Sequence, residues 1–313
     1  MKESIPKPQF QEQPDNDPQA NQADQTGGRR RVLRIWQTAW LSSVGKHIQY
    51  MQFGEEGLRP LIWLHSVDYP MAPSWGFCVD AAEKGLGVIS VRRPGFGETS
   101  PAQDTDEEVR LLKAFLKEAA LDNAVLIVEG TSRPAGLRLA LECEQVSFTL
   151  LLRPCYAAVD SDSIDPWLRD MVLQTMQSRA GASLALAALT HVVRRTGVEW
   201  LYERFLKDER DREFVRSNAR DVTEAWECFA AISADTFRRD MNALEPDPML
   251  TPGLLTGLRG LAVTGAGMPT VWRETFQKTS ASLGIETALL PEGGFFAAYN
   301  GGPALLEIIA ERA

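Results

Sequence analysis

Short apolar runs separated by stretches of helical period constrain this chain more than any other feature of its sequence. Residues 61–65, 87–91, 124–128, 148–152 and 260–264 are each rich in Leu, Ile and Val without polar alternation. A strand that is apolar on both faces needs cover on both faces. Segments 71–85, 107–120 and 134–143 fall between these runs with helical spacing; in the second, Val109, Leu112, Phe115 and Leu116 share one side. Strand and helix in alternation predict βαβ units and a mostly parallel sheet flanked by helices, the α/β class.

Two further runs, 32–40 and 47–53, are rich in β-branched and aromatic residues, and 42–46, with Gly45, reads as the turn between them. From 161 to 242 the alternation stops. Only helical periodicity is present there, at 167–176, 184–195, 200–206 and 225–237. A helical block between strands is expected to form a lid over the active end of the sheet. The strand at 260–264 is followed by a helix at 276–283, a last strand at 287–290 and a closing helix at 304–312. The expected organisation is an unstructured tail over 1–30, a first core part over 31–160, a helical lid over 161–250 and a second core part over 251–313.

The 313 residues suit one large domain with an insertion. A formal net charge of −9 argues against nucleic acid as a partner. No apolar run reaches the roughly 18–20 residues of a membrane span; the longest, around 184–193, is short and carries His191. The four cysteines, at 78, 143, 155 and 228, make neither a CxxC pair nor a Cys/His cluster. A structural zinc is therefore not expected, nor any other metal or cofactor, and reduced thiols predict a cytoplasmic setting. Residues 1–28 hold almost no large apolar side chain, which predicts disorder, and Arg29–Arg30–Arg31 reads as a solvated basic arm.

Four stretches in order resemble the α/β-hydrolase fold family. They are Leu61 to His65 with Ser66, Arg92–Arg93–Pro94–Gly95–Phe96–Gly97–Glu98–Thr99, Gly130–Thr131–Ser132–Arg133–Pro134, and Leu290–Pro291–Glu292–Gly293–Gly294. The second is similar to that family's turn of the DRPGFGxS type, with Arg92 where Asp is usual. The likeness spans about residues 32–313. It implies that Gly130-x-Ser132, after a buried strand and before a helix, is the nucleophile elbow with Ser132 as nucleophile. Pro134 stands where the family has a small residue, and it biases Arg133 away from helical geometry. The resemblance further implies an oxyanion site from the N–H groups of Ser66 and Arg133, with His65 in the loop beside it.

A serine needs a base. The family's histidine position falls on Phe295 within Gly293–Gly294–Phe295–Phe296, and its acid position on Met268; neither side chain can take a proton. His65 and His191 are the remaining candidates for a base, while His47 reads as a hairpin residue. Asp68, Glu129, Asp160, Asp162 and Asp165 are polar residues available to the pocket, and Arg92 could pair with one of them. The chain is therefore expected to be an impaired or non-catalytic α/β-hydrolase-fold protein. It would bind a small apolar or acyl ligand, or a protein partner through the lid. The alternative is an active serine ester or lactone hydrolase that uses Ser132 with a non-standard base.

Overall fold

A computed structural model describes residues 35–67, 70–154, 156, 174–175, 178–206, 208–244 and 247–313. Eight strands form one sheet. They are β1 (Trp36–Leu41), β2 (Lys46–Phe53), β3 (Arg59–Leu64), β4 (Leu86–Arg92), β5 (Ala124–Glu129), β6 (Val146–Leu152), β7 (Gly260–Gly265) and β8 (Thr287–Leu290). The order across the sheet is β1-β2-β4-β3-β5-β6-β7-β8. β1 with β2 and β2 with β4 are antiparallel, and every later pairing is parallel. The expected α/β sheet is present, and the short apolar runs are its buried strands: β4 and β5 have no exposed residue.

Helices cover both faces. One face packs against α1 (Trp75–Glu83) through Phe77, Cys78 and Ala81, and against the C-terminal helix, Gly302–Arg312, through Leu305, Leu306 and Ile309. The other packs against α2 (Thr105–Glu118) and α3 (Arg133–Glu142), and against the helix Thr270–Leu283, by way of Phe115, Leu137 and Phe276 among others. The helix starts are written locally: Ser74 accepts from the Phe77 N–H, and Asp104 accepts from the Glu107 N–H.

Between β6 and β7 the described chain holds five helices, α4 (Arg179–Thr196), α5 (Val198–Phe205), α6 (Glu209–Ser217), α7 (Ala219–Ala231) and α8 (Ala234–Asn242). The stretch read as one helix over 225–237 is two, because Ile232 is extended and Ser233 caps α8 by accepting from Thr236. α6 escaped sequence reading; it is charge-rich, with only Phe214 and Val215 as apolar residues, and its N-cap Asp208 was the one local sign of it. The remaining helices are α9 (Thr270–Leu283), α10 (Ala297–Asn300) and α11 (Gly302–Arg312). The expected 1–28 tail, the basic arm and the 167–173 part of the first insert helix lie outside the described residues.

The turn after β4 sets how closely the insert sits. Gly95 has φ +85, and a Cβ there would meet the Thr236 side chain of α8, with Cγ2 at 2.9 Å. Only glycine reconciles that backbone with that contact. We expect Gly95→Ala to destabilise the fold by about 2–4 kcal/mol, from overpacking and left-handed strain together. In urea unfolding, a second change, Thr236→Ala, should recover only part of the loss, since the strain remains.

Candidate functional site

The strand ends of β3 and β5 meet at the turn that joins β5 to α3. Its left-handed residue is Gly130, at φ +50. Ser132, at φ −74 and ψ −7, is already helical, the last residue of the 3₁₀ turn Gly130–Ser132. The left-handed vertex expected at Ser132 therefore lies two residues earlier. Ser132 is 1% exposed, and its hydroxyl donates to the carbonyls of Glu129 at 2.9 Å and Leu64 at 3.1 Å. It ties the turn to β3 and has no imidazole as a hydrogen-bond partner. Arg133 is helical, at φ −48 and ψ −50, despite preceding Pro134, which sits in the first turn of α3.

The space beside Gly130 is taken. A Cβ on that residue would collide with the Ser66 side chain, whose Cβ lies 2.8 Å away, and would stand 3.4 Å from Arg153 Nη2. The nearby N–H groups are also occupied. Thr131 N donates to Ser66 Oγ at 3.1 Å, and Val67 N donates to Thr131 Oγ1 at 3.0 Å. The two hydroxyls lie 3.2 Å apart, and Thr131 Oγ1 donates onward to Asp240 Oδ2 at 3.0 Å. Since the Thr131 proton goes to the carboxylate, Ser66 must donate to Thr131. A chain of hydroxyls thus runs from the turn to α8. The N–H groups bound to the two hydroxyls are those of Thr131 and Val67, and the Arg133 N–H that the sequence suggested as an oxyanion donor goes to the Gly130 carbonyl. The Arg133 side chain is a strut instead: it is fully buried, paired to Asp247 at 2.7 Å and donating to the Ala243 carbonyl at 3.0 Å.

His65 is fully buried. Nε2 accepts the Arg93 N–H at 3.2 Å, so Nδ1 carries the proton and donates to the Ser66 carbonyl at 3.0 Å. Burial, and after it the positive charge of Arg93, depress its pKa to about 3. Its edge packs on Phe96, with centroids 4.8 Å apart. Both ring nitrogens hold loops in place, so His65 does not serve Ser132. His191 is exposed on α4, and His47 is exposed beside Trp40.

Around these loops four buried charges close a ring. Arg93 pairs with Asp240, Asp240 lies 3.4 Å from Arg239, Arg239 lies 3.1 Å from Glu108, and Glu108 lies 3.5 Å from Arg93. Arg239 also donates to the Pro94 carbonyl at 2.7 Å. The ring joins the turn after β4, helix α2 and insert helix α8. Sequence reading missed it: apart from the adjacent Arg239 and Asp240, its members lie 15 to 147 positions apart, and the motif that holds Arg93 says nothing of its partners.

At the other end of the insert, Asp211 of α6 accepts from the backbone N–H groups of Gly294 at 3.1 Å, Phe295 at 2.6 Å and Phe296 at 2.9 Å, and from Asn300 Nδ2 at 3.2 Å. Burial raises its pKa, against the pull of those donors. Phe295 carries the Arg153 guanidinium on its ring at 4.1 Å. Met268, after β7, is 7% exposed, and its N–H donates to the Gly265 carbonyl at 3.2 Å. Glu129 is buried and accepts from the Tyr299 hydroxyl at 3.1 Å. Arg92 pairs with Glu224 of α7 at 2.9 Å and lies over the Trp36 ring, rather than meeting the aspartates considered from sequence. Asp68, Asp160, Asp162 and Asp165 lie outside the described residues. Among the described residues no three His, Cys, Asp or Glu side chains gather as for a metal ion, and no helix is long and apolar enough to cross a membrane.

Fold and site geometry together define an α/β-hydrolase fold. No protein-family model and no curated protein matches the sequence. Solved structures do match in fold. An esterase from Exiguobacterium antarcticum shares 13% identity over 88% of this chain and 98% of that one, with a TM-score of 0.62. A bromoperoxidase from Bacillus anthracis shares 18% over the same portions, with a TM-score of 0.63. An α/β-hydrolase-fold protein from Nakamurella multipartita also shares 18%, with a TM-score of 0.59 and the same coverage.

Two outcomes follow from the buried charges. Asp240→Ala strands Arg93 and should cost about 3–5 kcal/mol in urea unfolding. His65 has a folded pKa well below its unfolded value near 6.5, so the unfolded chain binds the extra proton between pH 6.5 and 3. Its contribution is complete above pH 6.5 and falls as the pH drops, by about 1.4 kcal/mol per unit. Unfolding free energies of wild type and His65→Gln, measured from pH 7 to pH 5, should show the variant with the flatter slope.

Proposed function

We propose that this chain is a non-catalytic member of its fold class, a binding protein whose turn after β5 has become a structural joint. The observation that carries this reading is Gly130. The residue at the left-handed vertex has no side chain, the adjoining space is filled by Ser66, and the Thr131 and Val67 N–H groups are satisfied by hydroxyls. A serine hydrolase needs its nucleophile at the vertex and those donors free to receive an oxyanion. The histidine and acid positions read from the resemblance, Phe295 and Met268, supply neither a base nor an orienting carboxylate.

The alternative, an ester or lactone hydrolase acting through Ser132, requires a base within about 2.6–3.2 Å of that hydroxyl. Its hydrogen-bond partners are two backbone carbonyls. The Asp240 ring ties α8 to the core, and the Asp211 clamp ties α6 to the loop Gly294–Phe296. This favours partner binding on the outer surface of the insert over a small apolar or acyl ligand within the seam.

Incubation with a fluorophosphonate probe and with p-nitrophenyl acetate should give no labelling of Ser132 and no hydrolysis above the buffer rate, with Ser132→Ala indistinguishable from wild type. Rapid labelling at Ser132, or turnover lost in that variant, would overturn the proposal. Neither Phe295→His nor Gly130→Ser with Phe295→His should become active, because the new side chain at 130 has nowhere to go. Gly130→Ser itself should lower stability by about 1–3 kcal/mol.

A further inference from the structure

One side of helix α4 carries polar groups that the fold does not use. Ser183, Leu186, Ala187, Thr190, His191 and Arg194 follow one another in alternating steps of three and one, a spacing that stacks them along one side of a helix. From Ser183 to Arg194 the stripe is about 16 Å long at 1.5 Å per residue. It walls a hollow of about 450 Å³, which Ala230 and Ala234 of the α7–α8 junction close on the far side. That volume falls in the range of small-molecule sites. Its polarity is divided. Leu186 and the alanines make an apolar stretch, while Thr190, His191 and Arg194 gather a hydroxyl, an imidazole and a guanidinium within about one helical turn.

The charge in the hollow has one sign. No Asp or Glu lines it, and α4 contains none, although acids outnumber bases by 42 to 33 in the chain. Among the described residues, the side chains of Ser183, Thr190, His191 and Arg194 make no hydrogen bond and no ion pair, whereas Arg179 at the start of the helix pairs with Asp235. Thr196 returns its hydroxyl to the Val192 carbonyl four residues back; Thr190, on the same helix, keeps its hydroxyl free. A cation in the last turn suits the negative end of a helix, and this accounts for the charge of Arg194. It does not account for free hydroxyls lining an apolar hollow beside that charge.

We propose that the hollow binds a small anion with an apolar body, an alkyl carboxylate or an alkyl phosphate. The head group meets Thr190, His191 and Arg194, and the chain lies along Leu186, Ala187, Ala230 and Ala234. The guanidinium presents paired N–H donors that match two oxygens of either head group, and the Thr190 O–H supplies a further donor. The site is open to solvent, Arg194 and His191 being exposed, so the ion pair is screened and the affinity modest, with a Kd of about 0.1–1 mM. The proposal does not depend on whether the turn at Gly130 is catalytic.

Isothermal titration of the full chain with octanoate, octyl phosphate, acetate and 1-octanol tests it. The expected result is one site for octanoate, octyl phosphate or both, with acetate and 1-octanol at least tenfold weaker, because one lacks the chain and the other the charge. The tighter of the two anions assigns the head group. Arg194→Gln should weaken binding about threefold to tenfold, the worth of an exposed charge-assisted contact. Ala187→Trp, which fills the hollow, should abolish it. Both positions are exposed, so the thermal midpoints of the two variants should match wild type. No binding of either anion up to about 10 mM, well above the expected Kd, overturns the proposal. So does binding that both variants retain, or 1-octanol binding as tightly as the anions. A concentration-dependent dimer in sedimentation velocity that Ala187→Trp abolishes would give the hollow to a second copy and overturn it as well.

Discussion

Four charges that little solvent reaches tie the insert to the core: Arg93, Glu108, Arg239 and Asp240 alternate in sign around a closed ring. Taking even one such ion out of water costs several kcal/mol, and only a matched partner with good hydrogen bonds repays it. Here each charge has two opposite neighbours, and Arg239 also donates to the Pro94 carbonyl. The ring is neutral as a set of four and costly in any subset. Three chain segments far apart in sequence must therefore arrive together. It also fixes where the insert sits: α8 cannot lift from the turn after β4 without taking Asp240 from Arg93 and Arg239 from Glu108.

The same carboxylate that closes the ring ends the hydroxyl chain from Ser66 and Thr131. The turn after β5 and the placement of the insert are thus one hydrogen-bonded unit. Enzymes that admit a substrate beneath a cover place mobile loops with few buried contacts there. This chain does the reverse, putting its most desolvated ion pairs at that boundary, with Arg133 reaching to Asp247 and Asp211 reaching into the loop Gly294–Phe296 as further ties.

The sheet could be read from sequence because two-sided burial leaves a simple mark: the middles of β3 to β7 are mostly apolar, and their alternation with helical segments suits a covered parallel sheet. The helices were legible in place and less so in their ends, as with α7 and α8, where an extended Ile232 breaks a continuous helical period. The turn was read two residues out of register. Gly-x-Ser before a helix suits either a serine vertex or a glycine vertex followed by a helical serine, and the motif alone does not separate them. What separates them is the cost of a positive φ, small for Gly130 and large for Ser132. The ring and the Asp211 clamp left no local trace at all, since each depends on side chains brought together only by the tertiary fold.

Strain gives the last argument about what this turn is for. A serine at a left-handed vertex stores backbone energy that the surrounding structure must hold, and such strain persists where chemistry requires it. At Gly130 the vertex is glycine and the strain is absent. The left-handed residue that remains nearby is Arg153, at φ +42. It is pinned by its own N–H to the Val263 carbonyl at 2.7 Å, and its guanidinium rests on the Phe295 ring. A cation over an aromatic face is worth about 0.5–2 kcal/mol, comparable to the cost of that backbone. Arg153 and Phe295 therefore stabilise one another, and the ring at 295 already has a task that an imidazole is poorly suited to take over. Gly130 and Phe295 fit one physical account, in which the ends of β5, β6 and β8 are tuned for packing.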